Sequence, residues 1–108
     1  MDTSAERRSH PRFEVPCRLR IEMGEGTDLR TRALNISDGG AYFLVEEPPE
    51  VGQRVKVRLA VPRDTANTFF LEQFAAGARV VRRDTPESGG RRIGVALEFE
   101  KTLTLDLS

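Results

Sequence analysis

The sequence is poor in residues that build disulfide frameworks or metal sites. Its single cysteine, Cys17, excludes an internal disulfide. With only one histidine, His10, a zinc site is not expected without ligands from a partner. Lysine is scarce too: of the 17 basic residues only Lys56 and Lys101 are lysines, and the others are arginines. Arginine binds phosphate and guanine through a planar fork that lysine lacks.

Long apolar runs and an excess of charge are also missing. No run approaches the roughly 18 apolar residues of a membrane helix, and the start of the chain has no apolar signal core. We therefore expect a cytoplasmic protein without membrane insertion. The formal net charge is 0, which gives no sign of the basic field of a DNA- or RNA-binding protein. A length of 108 residues fits one globular domain.

Apolar and polar residues alternate with a period of two through most of the chain. Between Phe13 and Met23 the apolar residues occupy the odd positions, which predicts a strand with one buried and one solvated face. Similar patterns between glycine- and proline-rich turns favour an antiparallel barrel or sandwich. The six predicted strands span residues 13–23, 29–36, 41–46, 51–61, 76–83 and 93–99.

Two further segments have less decisive patterns. Residues 65–76 fit either a helix or a bulged strand, and we expect the cluster Phe69-Phe70-Leu71 within it to lie in the core. If that cluster is exposed, it is the first candidate for a partner site. The last residues, 103–107, alternate in a way that suits extended chain.

An arginine-rich arm, residues 6–12, precedes the first predicted strand. Pro11 disfavours helical geometry just before it, so Arg7, Arg8 and Arg12 are expected on an extended or turned lead-in. Their guanidinium groups can bond phosphate oxygens or the O6/N7 edge of guanine. The Arg8/Arg12 spacing recurs at two other arginine pairs, so the arm alone is equally consistent with a solvated basic terminus.

A second polar segment, Asn35-Ile36-Ser37-Asp38-Gly39-Gly40, ends the second predicted strand. Asn35 and Ser37 are two residues apart and therefore point to the same face. Their amide and hydroxyl groups can read the edge of a base, and Gly40 allows a ligand or a backbone to approach closely. A plain turn between strands has the same composition.

The two segments are related by a hairpin. If residues 13–23 pair with residues 29–36 around Gly26, Arg12 lies opposite roughly Gly39. The arm would then reach the same end of the fold as Asn35 and Ser37.

These ordered motifs resemble the PilZ domain family. The arm matches the family's arginine-x-x-x-arginine motif at Arg8 and Arg12, and residues 35–40 match its [Asp/Asn]-x-Ser-x-x-Gly motif. With the strands that flank both motifs, the resemblance spans about residues 6–100. It implies an all-β, six-stranded antiparallel split barrel at residues 13–100, with a flexible arm at 1–12. Many relatives carry a C-terminal helix, whereas the tail at 101–108 suits little or none.

The resemblance also implies a ligand, cyclic di-GMP, and a non-enzymatic effector role that passes a signal to a partner protein. Arg8 and Arg12 would hold guanines and phosphates with help from Arg7. Asn35 and Ser37 would contact a guanine edge or a phosphate, and Gly40 would give room. No cofactor or metal is implied.

Two other functions remain open at this stage. One is a PilZ-like protein-interaction module that binds no nucleotide, and the other is a barrel that binds single-stranded nucleic acid. The second would need exposed aromatic residues for stacking, and the chain has no tryptophan and one tyrosine. No acid–base pair or triad for catalysis can be assembled, because Cys17 falls at an inward position without an activating neighbour.

Overall fold

The computed structural model describes residues 17–24, 26–86 and 90–107. Six strands in these residues close into an antiparallel barrel with the order β1-β2-β3-β6-β5-β4. The strands are β1 Arg18–Glu22, β2 Asp28–Ser37, β3 Gly40–Val45, β4 Arg54–Asp64, β5 Phe69–Asp84 and β6 Ile93–Phe99. The predicted all-β six-stranded barrel is confirmed, and no helix occurs in the described ranges.

Most predicted strands agree with the observed ones. The last strand is the same, and β2 and β3 differ from their predicted ranges by one residue at each end. The fourth begins at Arg54 rather than at Val51, because Gly52 takes a positive φ of 91° that belongs to a turn. Residues 13–16 of the first predicted strand lie outside the described residues.

The barrel interior is built from the inward positions that the alternation predicts. Cys17, Leu19 and Ile21 are all buried at alternate positions of the first strand region. Burial raises the pKa of the Cys17 thiol, although the charge of Arg63 opposes this, so the cysteine is a packing residue. The largest fully buried side chains are Phe43, Ile21, Leu59, Leu105, Val57, Val61, Val80 and Val95.

The first half of β5 departs from the prediction. Phe69, Phe70 and Leu71 are 57%, 44% and 38% exposed, so the expected core placement of this cluster is wrong. β5 pairs with β6 only from Ala78 onward, whereas its earlier residues pair with β4 alone. This two-stranded ribbon projects from the barrel, and both its faces meet solvent near its tip.

The C-terminal segment, residues 100–107, closes one end of the barrel. Leu105 is fully buried in the core cluster, and Leu103 and Leu107 pack against it. The guanidinium of Arg63 on β4 donates to the carbonyl oxygens of Leu105 and Asp106. This segment covers the end at which β2 finishes and β3 begins, which we call the motif end. The segment forms no helix, as predicted, although Asp106 takes a positive φ of 53° rather than an extended conformation.

Candidate functional site

The β2–β3 hairpin presents the polar motif on the outside of the barrel. Asn35 pairs with Tyr42 and Ser37 with Gly40 across the two strands. A register shift between Ala33 and Asn35 leaves Leu34 exposed, but beyond it Asn35 and Ser37 share one solvated face, as predicted. Their side chains therefore stand side by side at the motif end.

These residues line one open depression of about 360 Å³ on the outer surface. It extends from β2 over β3 to β6. The lining residues are Asn35, Ile36, Ser37, Gly40, Ala41, Tyr42 and Leu97. Asn35, Ser37 and Gly40, predicted from sequence, thus meet at a single concave surface.

The Ser37 hydroxyl is oriented by its own turn. Its Oγ accepts a hydrogen bond from the backbone N–H of Gly39 at 3.3 Å. Because a hydroxyl has one hydrogen to donate besides its acceptor lone pairs, the Ser37 O–H remains able to donate outward. The turn therefore fixes the oxygen while leaving the donor for a ligand.

Gly40 has a packing role within the barrel. A Cβ at this position would lie 2.1 Å from the carbonyl oxygen of Leu97 on β6, well inside van der Waals contact. Glycine is thus required for β3 and β6 to approach each other here. The room that the family resemblance assigns to a ligand remains a prediction.

Tyr42 was not singled out from the sequence, yet it forms one wall of the depression. Its ring lies over Gly94, where a Cβ would collide with the phenol. The Tyr42 hydroxyl donates to Asp84 Oδ2 at 3.0 Å, and the Arg82 guanidinium lies 5.7 Å from the ring centroid. The ring is held from three sides, a constraint that no local pattern could reveal.

Asp84 links these groups electrostatically. Arg82 Nε donates to Asp84 Oδ1 at 3.0 Å. This bond, with that from Tyr42, lowers the pKa of Asp84 below its usual value, because both stabilise the carboxylate. The hydrogen bond between Tyr42 and Asp84 also raises the pKa of the Tyr42 hydroxyl, so the phenol remains a neutral donor near neutral pH.

Asp38 has a role that the sequence did not indicate. Its carbonyl oxygen accepts from Leu103 N at 2.9 Å, and its Oδ1 accepts from Leu105 N at 2.9 Å. Gly39 contributes as well, since its carbonyl accepts from Phe99 N. The motif turn therefore fastens the C-terminal segment.

The predicted arginine arm, with Arg7, Arg8 and Arg12, lies outside the described residues. The hairpin that leads from the arm agrees with the prediction within one residue, because Arg18 pairs with Arg32 where the predicted register places it opposite residue 33. β1 consequently begins at the motif end.

Among the described residues, no group of three or more histidine, cysteine, aspartate or glutamate residues is arranged to hold a metal ion. No helix in the described ranges is long and apolar enough to cross a membrane.

The described residues thus form a small closed β-barrel with a polar depression beside its β2–β3 turn. The family model of the PilZ domain matches residues 6–107, and the chain belongs to this family. PilZ domains are effector and adaptor domains related to cyclic di-GMP signalling.

A solved structure supports the fold. The structure of the Bacillus subtilis inhibitor of motility, MotI/DgrA, superposes with a TM-score of 0.68 at 20% sequence identity. The alignment covers 94% of this chain and 46% of that chain, so the protein spans less than half of that structure. No curated protein sequence matches the chain.

Proposed function

We propose that the protein is a cyclic di-GMP-binding effector whose N-terminal arm closes on the nucleotide and signals to a partner protein. The observation that carries this proposal is the placement of Asn35 and Ser37 side by side in one open depression at the motif end. Membership of the PilZ family supplies the ligand class.

The chemistry of the depression suits a guanine nucleotide. The Asn35 amide offers a donor and an acceptor in one plane, which matches the mixed donor and acceptor edge of guanine. The outward Ser37 O–H suits a phosphate oxygen or a ring nitrogen. Arg8 and Arg12, assisted by Arg7, would add the guanidinium forks that bind phosphate and guanine together.

Tyr42 and Arg82 would enlarge this surface toward β5. Arg82 is exposed, and only its Nε is engaged by Asp84 among the described contacts. A purine could therefore stack on its guanidinium plane, as bases do on arginine. The ion pair with Asp84 would keep Arg82 in place before the ligand arrives, which reduces the entropic cost of binding.

Signal transfer would follow from the arm. An arm ordered only by the ligand changes the surface at the motif end between the free and bound states. A partner that binds the ordered arm would then sense the nucleotide, because the two binding events are thermodynamically linked.

Calorimetric titration with cyclic di-GMP tests the proposal. We expect saturable binding, with Arg12→Ala and Ser37→Ala each weakening it by at least about tenfold, the loss of one charge-assisted contact. Arg91→Ala, which removes an exposed arginine from the connection before β6, serves as the matched control and should leave the affinity unchanged.

Hydrogen exchange of the complex is the second measurement. Ligand-dependent protection of residues 6–12 is expected. The absence of both heat and arm protection at high ligand concentration would overturn the proposal and leave the nucleotide-independent interaction module as the remaining function.

A further inference from the structure

The outer face of β1, β2 and β4 carries a cluster of arginines separate from the candidate nucleotide site. It lines an open depression of about 610 Å³ on the β1 side of β2, whereas the candidate site lies on the β3 side. The two surfaces share no lining residue. We call this cluster the arginine face, and its members are Arg18, Arg20, Arg30, Arg32 and Arg58.

The strand registers arrange these side chains in two rows. In the first row Arg18 lies directly opposite Arg32. In the second row Arg20 lies between Arg30 on β2 and Arg58 on β4. Directly opposed like charges destabilise a sheet, so this arrangement costs folding free energy.

A third row limits the arginine face on one side. It contains Asp28 and Glu22 together with Lys56. Asp28 pairs with Arg20 at 2.7 Å, and Glu22 pairs with Arg58 at 2.7 Å. Two of the five arginines therefore have carboxylate partners within the protein.

The other three arginines lack such compensation. Arg18, Arg30 and Arg32 are exposed, and no ion pair joins them to a carboxylate within the described ranges. They form a compact triangle on two neighbouring strands. Their opposition raises the free energy of the isolated fold, and an external anion placed among them would relieve it.

We propose that the arginine face binds an extended acidic segment of a partner protein. Alternate residues of a strand project about 6.6–6.8 Å apart, which is also the spacing of the two arginine rows. Carboxylates two residues apart in an extended segment would therefore meet the Arg18–Arg32 row and the Arg30–Arg20 row in turn. Each contact can be bidentate, because arginine presents a planar fork to carboxylate.

A protein segment suits this face better than a continuous polyanion does. A nucleic acid strand or an anionic membrane is negatively charged along its whole length, so it would also lie over Glu22 and Asp28. There the like charges oppose binding. The lining also offers no aromatic side chain on which bases could stack. A short acidic segment can end, or change sign, at the third row.

A capped peptide with three aspartates alternating with threonines, followed by one lysine, is the probe. In a nuclear magnetic resonance titration we expect shifts of the backbone amides at residues 18–20 and 30–32, saturating with peptide. A peptide with asparagine in place of each aspartate should cause none. The shifts should vanish at about 1 M salt, where the screening length falls to roughly 3 Å.

Arg32→Glu is the decisive variant. It should weaken peptide binding by at least about tenfold, because an attractive charge is replaced by a repulsive one. It should also raise the melting temperature, since the new carboxylate faces Arg18. Loss of binding could then not be attributed to unfolding. Arg91→Glu, at an exposed position away from the arginine face, controls for net charge and should leave peptide binding unchanged.

Three results would overturn the inference: no peptide-induced shifts, equal weakening by Arg91→Glu, or stronger shifts of the same amides with oligothymidylate or phosphatidylserine vesicles. None depends on cyclic di-GMP, because the titration uses the nucleotide-free protein. Failure of the proposed function would therefore leave this inference intact, and the reverse also holds.

Discussion

The carboxylate of Asp38 accepts a hydrogen bond from the backbone N–H of Leu105 at 2.9 Å, joining the motif turn to a segment 67 residues later. Leu105 is fully buried, and its amide is part of the cover at the motif end. We expect Asp38→Ala to lower the free energy of unfolding by about 1–3 kcal/mol, because it leaves this amide without its acceptor. Urea denaturation provides the measurement.

Asp38→Asn is the matched control, because the amide oxygen can still accept from Leu105. Its loss should stay below about 1 kcal/mol. If Asp38→Ala were no less stable than Asp38→Asn, the hydrogen bond would contribute nothing in solution, and the cover would be held by the leucine side chains alone.

Gly40 and Gly39 are adjacent but differ in their surroundings. A Cβ on Gly40 would overlap the Leu97 carbonyl, whereas one on Gly39 would meet nothing within 4 Å. Gly40→Ala should therefore cost about 1–3 kcal/mol of stability through forced separation of β3 and β6. Gly39→Ala should be neutral within about 0.5 kcal/mol, as most surface substitutions are.

The same pair of variants separates packing from ligand contact. If Gly40→Ala retained full stability but lost affinity for cyclic di-GMP, Gly40 would act through ligand room rather than through strand packing. Thermal unfolding and calorimetric titration of both variants make the distinction.

Local pattern predicted an antiparallel barrel or sandwich, and the family resemblance implied the barrel. The two-residue alternation predicts the buried positions of β1 and β6, and the strict side-chain period places Asn35 beside Ser37. Long-range contacts could not be predicted in this way. Nothing near Tyr42 indicates that its hydroxyl meets Asp84, since which strands become neighbours is decided by closure of the barrel.

For the Phe69-Phe70-Leu71 cluster, local pattern gave a wrong prediction. Its hydrophobicity indicates burial, but burial needs a layer packed on a face of the ribbon, and this part of β5 extends beyond its pairing with β6 as one strand of a two-stranded ribbon. The ribbon's geometry therefore overrides composition. Because the cluster is exposed, it is a candidate partner site.

Asp84 should make stability dependent on pH. Its pKa in the folded protein is lowered, chiefly by the hydrogen bond from Arg82 and next by that from Tyr42. Its contribution is therefore present above the unfolded pKa of about 3.9 and is lost as the pH falls through the lower folded value. We expect Asp84→Asn to be less stable than the wild type at pH 7 and equally stable once the wild-type carboxyl is protonated.

Urea denaturation of both proteins from pH 7 to pH 2 checks this. In a Tyr42→Phe background, the stability curves with and without Asp84→Asn should converge at a higher pH than they do in the wild-type background. The reason is that Tyr42→Phe removes one donor that stabilises the Asp84 carboxylate. Stability curves of the wild type and Asp84→Asn that run parallel across the range would mean that the Tyr42–Asp84–Arg82 contacts do not persist in solution.

Truncation should destabilise the protein strongly at Phe43 and hardly at all at Phe70. Phe70 is 44% exposed on the ribbon, whereas Phe43 on β3 is fully buried in the barrel. Phe43→Ala should lower the free energy of unfolding by about 3–5 kcal/mol, the usual cost of a cavity left by phenylalanine. Phe70→Ser should change it by no more than about 0.5 kcal/mol. Chemical denaturation at two protein concentrations measures both, and a concentration-dependent loss above about 1.5 kcal/mol in Phe70→Ser would mean that the ribbon is buried against a second copy in solution.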